Sequence, residues 1–200
     1  MKRVAYILPG RGQKTNIEPY QRVAECYAAR GITPVFLDIP WKEGGMFDQV
    51  ENVIDQIEAM PPADQVHFFG FSLGAVFAMA LCHSIEPRTM MLCSMSPIFA
   101  EDRAVMWPWM KRWARRRYDG KRDGWLSYTP AAEYTKENNC SVTFLYGKRE
   151  WWILNGLVQD RRRFAFVNSE VHIVPTGGHN IGGIAYLSTV AAAIHYLPKN

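Results

Sequence analysis

The fold turns on the stretch Val66-His67-Phe68-Phe69-Gly70-Phe71-Ser72-Leu73-Gly74-Ala75-Val76-Phe77-Ala78-Met79-Ala80-Leu81. Its first four residues are apolar, aromatic and β-branched, and read as a buried strand. Its last seven are rich in Ala, Leu and Met, and read as a helix. Between them lies Gly70-Phe71-Ser72-Leu73-Gly74, a Gly-x-Ser-x-Gly in a strand–turn–helix setting, the pattern of a nucleophile elbow. So sharp a turn leaves no room for side chains two residues either side of the serine, and glycine removes those Cβ atoms. Ser72 is expected at the tip of the turn, with the positive end of the following helix toward it.

The chain around it alternates. Residues 3–8 predict a strand that ends at Pro9-Gly10-Arg11-Gly12. Residues 18–30 predict a helix with Tyr20, Val23, Ala24 and Tyr27 at helical spacing, Asn16 as a candidate cap and Gly31 as its stop. Strands are expected over 33–38, 66–69, 89–94, 141–146 and 171–174. Further helices are expected over 46–59, 73–84, 151–163 and 181–196, the first with Phe47, Val50, Ile54 and Ile57 on one face. Such alternation implies an α/β protein with a parallel sheet covered on both faces. Sites in such sheets form beyond the carboxyl ends of the strands.

Two hundred residues, 48% of them hydrophobic, suit one domain with a sizeable core. Every apolar run breaks well before the roughly 20 residues of a membrane span. The start is basic and then apolar, but five apolar residues before Pro9-Gly10 are fewer than the about 7 to 15 of a secretory signal. A first strand accounts for it better. Cys26, Cys82, Cys93 and Cys140 are scattered, without C-x-x-C spacing, and read as reduced, mostly buried thiols of a cytoplasmic protein.

Periodic order weakens over 98–138, which reads as an inserted cap of short helices within the single 1–200 domain. Net charge is +4, yet residues 107–122 alone carry +6, so the basic character is one patch and nucleic-acid binding is not expected. Trp107, Trp109 and Trp113 lie in this patch, with Met106, Met110 and Trp113 at helical spacing. An amphipathic helix on the core accounts for the pattern, as does an aromatic substrate pocket with basic residues at its mouth. Contact with an anionic membrane surface is a third reading.

A serine hydroxyl needs a base within hydrogen-bond reach. His67 and His172 fall inside strands, His83 at a helix end and His195 in the last helix. His179 follows Pro175-Thr176-Gly177-Gly178 in a loop just past a strand, and is the candidate base. The base in turn needs a carboxylate, and the order Ser…acid…His puts it between 72 and 179. Glu150, directly after the strand 141–146, fits best; Asp102 and Glu101 are rivals. Two donors for a developing oxyanion are the backbone N–H groups of Leu73 and of Arg11. The loop Gly10-Arg11-Gly12-Gln13-Lys14 lacks the spacing of a phosphate-binding P-loop.

With these parts the chain resembles the α/β-hydrolase superfamily over nearly its whole length, apart from about 98–138. The resemblance rests on Gly70-Phe71-Ser72-Leu73-Gly74, on Glu150, on Gly178-His179-Asn180 and on Pro9-Gly10-Arg11. Pro9-Gly10 stands where members commonly have His-Gly, and Glu150 where Asp is commoner. The chain starts at the family's third strand, which implies a minimal six-stranded sheet of order 2-1-3-4-5-6. The resemblance implies a serine hydrolase acting on a small-molecule carboxylic ester or thioester through Ser72, His179 and Glu150, with no metal or organic cofactor. An acyltransferase or carbon–carbon hydrolase on the same groups is the alternative, as is a catalytically silent binding protein of this fold.

Overall fold

The computed structural model describes residues 1–82, 84–96, 140–150 and 168–197. Among them six parallel strands form one sheet: β1 (Arg3–Leu8), β2 (Thr33–Phe36), β3 (Gln65–Phe71), β4 (Thr89–Cys93), β5 (Ser141–Gly147) and β6 (Asn168–Val174). The spatial order β2-β1-β3-β4-β5-β6 is the one expected. The helices are α1 (Glu18–Ala28), α2 (Met46–Glu58), α3 (Leu73–Leu81) and α4 (Ile184–His195).

Successive strand residues point to opposite faces, and the two cores follow that period. Val4, Tyr6 and Leu8 of β1, Phe68 of β3, Met90 and Leu92 of β4 and Phe144 of β5 join one core, with α2 and α3. Ala5, Ile7, Phe69, Phe71, Met91, Cys93 and Leu145 join the other, with α1 and α4. All nine residues of α3 are buried, which explains a segment apolar on every side. The central strands β3 and β4 therefore read as nearly continuous apolar runs. The first apolar run of the chain is β1, as expected, with five of its six residues buried. Cys82, Cys93 and Cys140 are buried, Cys26 is half-buried, and none of the four is in a disulfide. Burial pushes the first three well up from the ordinary thiol range, so none stands as a thiolate.

Three local expectations need correction. Asn16 does not cap α1; the cap position is Ile17, without a side-chain bond, and Pro19 in the first turn presets the backbone. Phe47 is not on the buried face of α2 but 49% exposed. The stripe runs instead through Met46, Gln49 and Val53, with Val50, Ile54 and Ile57 partly buried beside it. Gln49 can lie on that face because its amide donates to the Pro40 and Glu43 carbonyls and so ties down the preceding loop. Finally, β6 begins at Asn168 rather than Val171. Its polar start is tolerated because it is an edge strand, and Thr143 of β5 donates to Glu170 across it. The helix expected over 151–163, the insertion at 98–138 and His83 lie outside the described residues.

Candidate active site

The turn between β3 and α3 is built by contact as well as by sequence. A Cβ on Gly70 would stand 2.5 Å from Ala75 Cα, and one on Gly74 would collide with the Leu8 and Pro9 carbonyls. The strand, the turn, the helix start and the end of β1 are thus pressed together where no side chain fits. Between the glycines Ser72 takes φ 57°, a left-handed conformation unusual for serine. Its N–H donates to the Cys93 carbonyl at the end of β4, and Ala75 N–H returns to the Ser72 carbonyl. The strained residue is held from both sides.

His179 Nε2 lies 3.0 Å from Ser72 Oγ, and His179 Nδ1 lies 2.6 Å from Glu150 Oε1. A hydroxyl, an imidazole and a carboxylate therefore stand in hydrogen-bonded series. Glu150 is 3% exposed while the histidine side chain is 46% exposed, so the series runs from a buried anion to the surface. A buried carboxylate beside Nδ1 keeps the proton on that nitrogen and leaves Nε2 to accept from Ser72.

The loops carrying these groups are stitched to each other. Glu150 ends the short 3₁₀ turn Lys148–Glu150 that follows β5. Arg149 N–H donates to the Gly177 carbonyl, and a Cβ on Gly147 would collide with the Gly177 backbone. The histidine loop is further closed by Gly182 N–H on Asn180 Oδ1. The Phe71 ring lies 5.2 Å from the imidazole, centroid to centroid, and forms an apolar wall beside it.

Leu73 is the first residue of α3 and buried. Its N–H belongs to the helical turn whose amides have no carbonyl one turn back, and it follows Ser72 directly. Arg11 lies at the first central position of a β-turn closed by Gln13 N–H on the Gly10 carbonyl, with Gly12 at φ 70°. That turn is anchored from below. The buried Tyr20 hydroxyl accepts the Gly10 N–H at 2.8 Å and donates to Gln13 Oε1.

The other described histidines stand apart from this group. His67 is 1% exposed in β3, with Nδ1 2.8 Å from Thr89 Oγ1. His172 is on edge strand β6 next to Glu170, and His195 ends α4. Glu101, Asp102, Trp107, Trp109 and Trp113 lie outside the described residues.

Sequence reasoning missed four polar side chains here. Ser94 Oγ donates to Glu150 Oε2 at 2.9 Å, and the Tyr186 hydroxyl lies 2.7 Å from Ser94. Ser96 Oγ lies 3.3 Å from Ser72 Oγ. Tyr20 holds the turn after β1. Ser94 and Ser96 directly follow β4, and strand-end position was the available signal; Tyr20 and Tyr186 look like ordinary core aromatics.

No protein-family model and no curated relative matches the sequence. Solved structures do match, at low identity. Est1E from Butyrivibrio proteoclasticus with ferulic acid bound is 14% identical, with a TM-score of 0.70 over 96% of this chain and 86% of that one. The esterase Pf2001 of Pyrococcus furiosus is 14% identical, with a TM-score of 0.70 over 97% and 80%. Alpha/beta hydrolase domain-containing protein 10 from mouse is 12% identical, with a TM-score of 0.71 over 96% and 88%. The six-stranded order, the sharp turn between β3 and α3 and these likenesses over almost the whole length agree: the chain has the α/β-hydrolase fold.

Proposed function

We propose that the chain is a serine hydrolase that cleaves a small carboxylic ester or thioester. The observation that carries this reading is the unbroken series Ser72 Oγ, His179 Nε2, His179 Nδ1, Glu150 Oε1, at 3.0 Å and 2.6 Å. Est1E, which holds ferulic acid, and the esterase Pf2001 share the fold and support an ester as the substrate.

In this reading Ser72 Oγ attacks the carbonyl carbon while its proton passes to His179 Nε2. Glu150 stabilises the imidazolium through Nδ1–H. The N–H groups of Leu73 and Arg11 stabilise the developing oxyanion. The His179 proton goes to the leaving alcohol or thiol, and the acyl group stays on Ser72. Water then attacks the acyl carbon as His179 Nε2 takes its proton, and that proton returns to Ser72 Oγ as the C–Oγ bond breaks and the acid leaves. Trp107, Trp109 and Trp113 are proposed to line the acyl pocket. A cytoplasmic location fits the reduced thiols.

Labelling with a fluorophosphonate probe tests the reading. The probe should modify the native protein at Ser72, and Ser72→Ala and His179→Ala should abolish labelling. A folded wild-type protein that stays unlabelled, and that leaves a panel of ester and thioester chain lengths intact, refutes it.

A further inference from the structure

We propose that Ser94 and Tyr186 are positioning residues that fix the Glu150 carboxylate through a directed chain of hydroxyl protons. This deepens the reading of Ser72, His179 and Glu150 as a catalytic series and rests on it.

A carboxylate buried as deeply as Glu150 must have its lone pairs satisfied. Oε1 faces His179 Nδ1 at 2.6 Å. Oε2 accepts Gly147 N–H at 2.7 Å and Ser94 Oγ–H at 2.9 Å. The two oxygens are thus divided: one is kept for the histidine, the other is held by groups that do not move with it.

The hydroxyl protons can be counted. Ser94 Oγ has contacts to Glu150 Oε2 and to the Tyr186 hydroxyl, and that hydroxyl also lies 2.9 Å from the Leu145 carbonyl. Three contacts share two protons. An ionised carboxylate accepts only, so the Ser94 proton goes to Oε2. Two facing lone pairs at 2.7 Å would repel, so the Tyr186 proton goes to Ser94 Oγ. The Leu145 carbonyl at 2.9 Å is the other acceptor within reach, but Ser94 Oγ is the nearer at 2.7 Å, and the carbonyl already accepts the Ser94 N–H at 2.7 Å. Burial pushes the Tyr186 hydroxyl well up from its ordinary range, so it keeps its proton. Every proton then points toward Glu150, and each bond polarises the next.

The backbone is shaped for this. Ser94 takes φ 47°, besides Ser72 the other non-glycine residue with positive φ among the described residues. It is 3% exposed and follows β4 directly. Glycine would adopt that conformation without strain but has no hydroxyl to offer Glu150.

The test compares Ser94→Ala, Tyr186→Phe and the double variant with wild type. The readouts are kcat and KM for p-nitrophenyl acetate, the far-downfield proton resonance of the His179–Glu150 bond, and thermal unfolding. Losing one hydrogen bond to a charged group should lower kcat about tenfold in Ser94→Ala, with KM within about twofold. Tyr186→Phe should lose about threefold, and the double variant no more than Ser94→Ala alone, because the tyrosine acts through the serine. The downfield resonance should move upfield in each. Unchanged kcat in folded variants, an unmoved resonance or additive losses would overturn the proposal. If Ser94→Ala does not fold, the isosteric Tyr186→Phe decides by the same criteria. Fluorophosphonate labelling of wild type, abolished by Ser72→Ala, is run alongside. Its absence rejects the catalytic series itself, whereas labelling with unaffected variants rejects only the positioning role.

Discussion

Ser72 Oγ stands 3.0 Å from His179 Nε2 across a separation of 107 positions. No local preference produces that approach. It follows from the sheet: β3 and β6 run parallel, with β4 and β5 between them, so the loops that leave them open on the same side. The contacts between Gly147 and Gly177 then bring the loops that carry Glu150 and His179 together. A carboxyl-end cluster is what a parallel sheet offers to chemistry.

On the proposed mechanism, Ser72→Ala and His179→Ala should each lower kcat for ester hydrolysis by about 10⁴-fold or more. Their double variant should lose no more than the worse single, since the two groups act as one unit. Glu150→Gln keeps the shape but offers the histidine an amide. It should lower kcat by about 10³- to 10⁴-fold with little change in KM. Steady-state kinetics on a chromogenic ester checks all four variants.

How much of this was legible depended on range. The strand–turn–helix around Ser72 was legible because its strand, turn, helix and two glycines lie within sixteen consecutive residues. The parallel sheet followed from alternation, and the strand order from the resemblance that the motifs carry. His179 was separable from His67 and His172 because a loop and a strand differ in local pattern. Ser94 and Tyr186 were not, since their bonds reach 56 and 92 positions along the chain. A single hydroxyl after an apolar strand, or a tyrosine in an apolar helix, carries no local mark of its partner. Gln49 carries no local mark either, as a polar residue on the core face whose partners lie in the preceding loop. Phe47, expected on one face with Val50, Ile54 and Ile57, is exposed instead.

His67 makes stability pH-dependent. Burial, with Arg3 and Arg88 nearby, pulls its imidazole down from 6.5 to about 4. The folded protein therefore binds fewer protons here than the unfolded chain between those values. The sign follows: this stability is fully present above pH 6.5 and is lost as pH falls toward 4. The slope approaches about 1.4 kcal/mol per pH unit within that window. Urea unfolding at several pH values should show the decline, and His67→Leu should flatten it.

Two glycines should respond differently to the same substitution. A Cβ on Gly74 would collide with the Leu8 and Pro9 carbonyls, neither of which can rotate away. Gly74→Ala should cost about 3 kcal/mol and shift the turn that carries Arg11. Gly31, just beyond α1, has φ 68° and no heavy atom within 4 Å of a Cβ built there. Gly31→Ala meets only the backbone cost of the left-handed region and should lose about 1 kcal/mol. Chemical denaturation of the two variants separates steric from conformational cost, and equal losses would contradict the close approach.

Tyr20 links stability to the loop after β1. Its hydroxyl is the partner of the buried Gly10 N–H, and it also holds Gln13, whose own N–H closes the turn around Arg11. Tyr20→Phe keeps the ring in its core but leaves a buried donor without its partner, a loss of about 1 to 3 kcal/mol. The effect should not end with stability. If Arg11 N–H stabilises the oxyanion, a looser turn weakens an interaction made chiefly in the transition state. The kcat should then fall while KM stays nearly constant, as for other interactions absent from the ground state. Gln13→Ala removes one of the two bonds and spares the Gly10 N–H, so it should lie between wild type and Tyr20→Phe in both stability and kcat. Variants that lose stability with kcat intact would show that the turn supports the fold alone, and would move the second oxyanion donor away from Arg11.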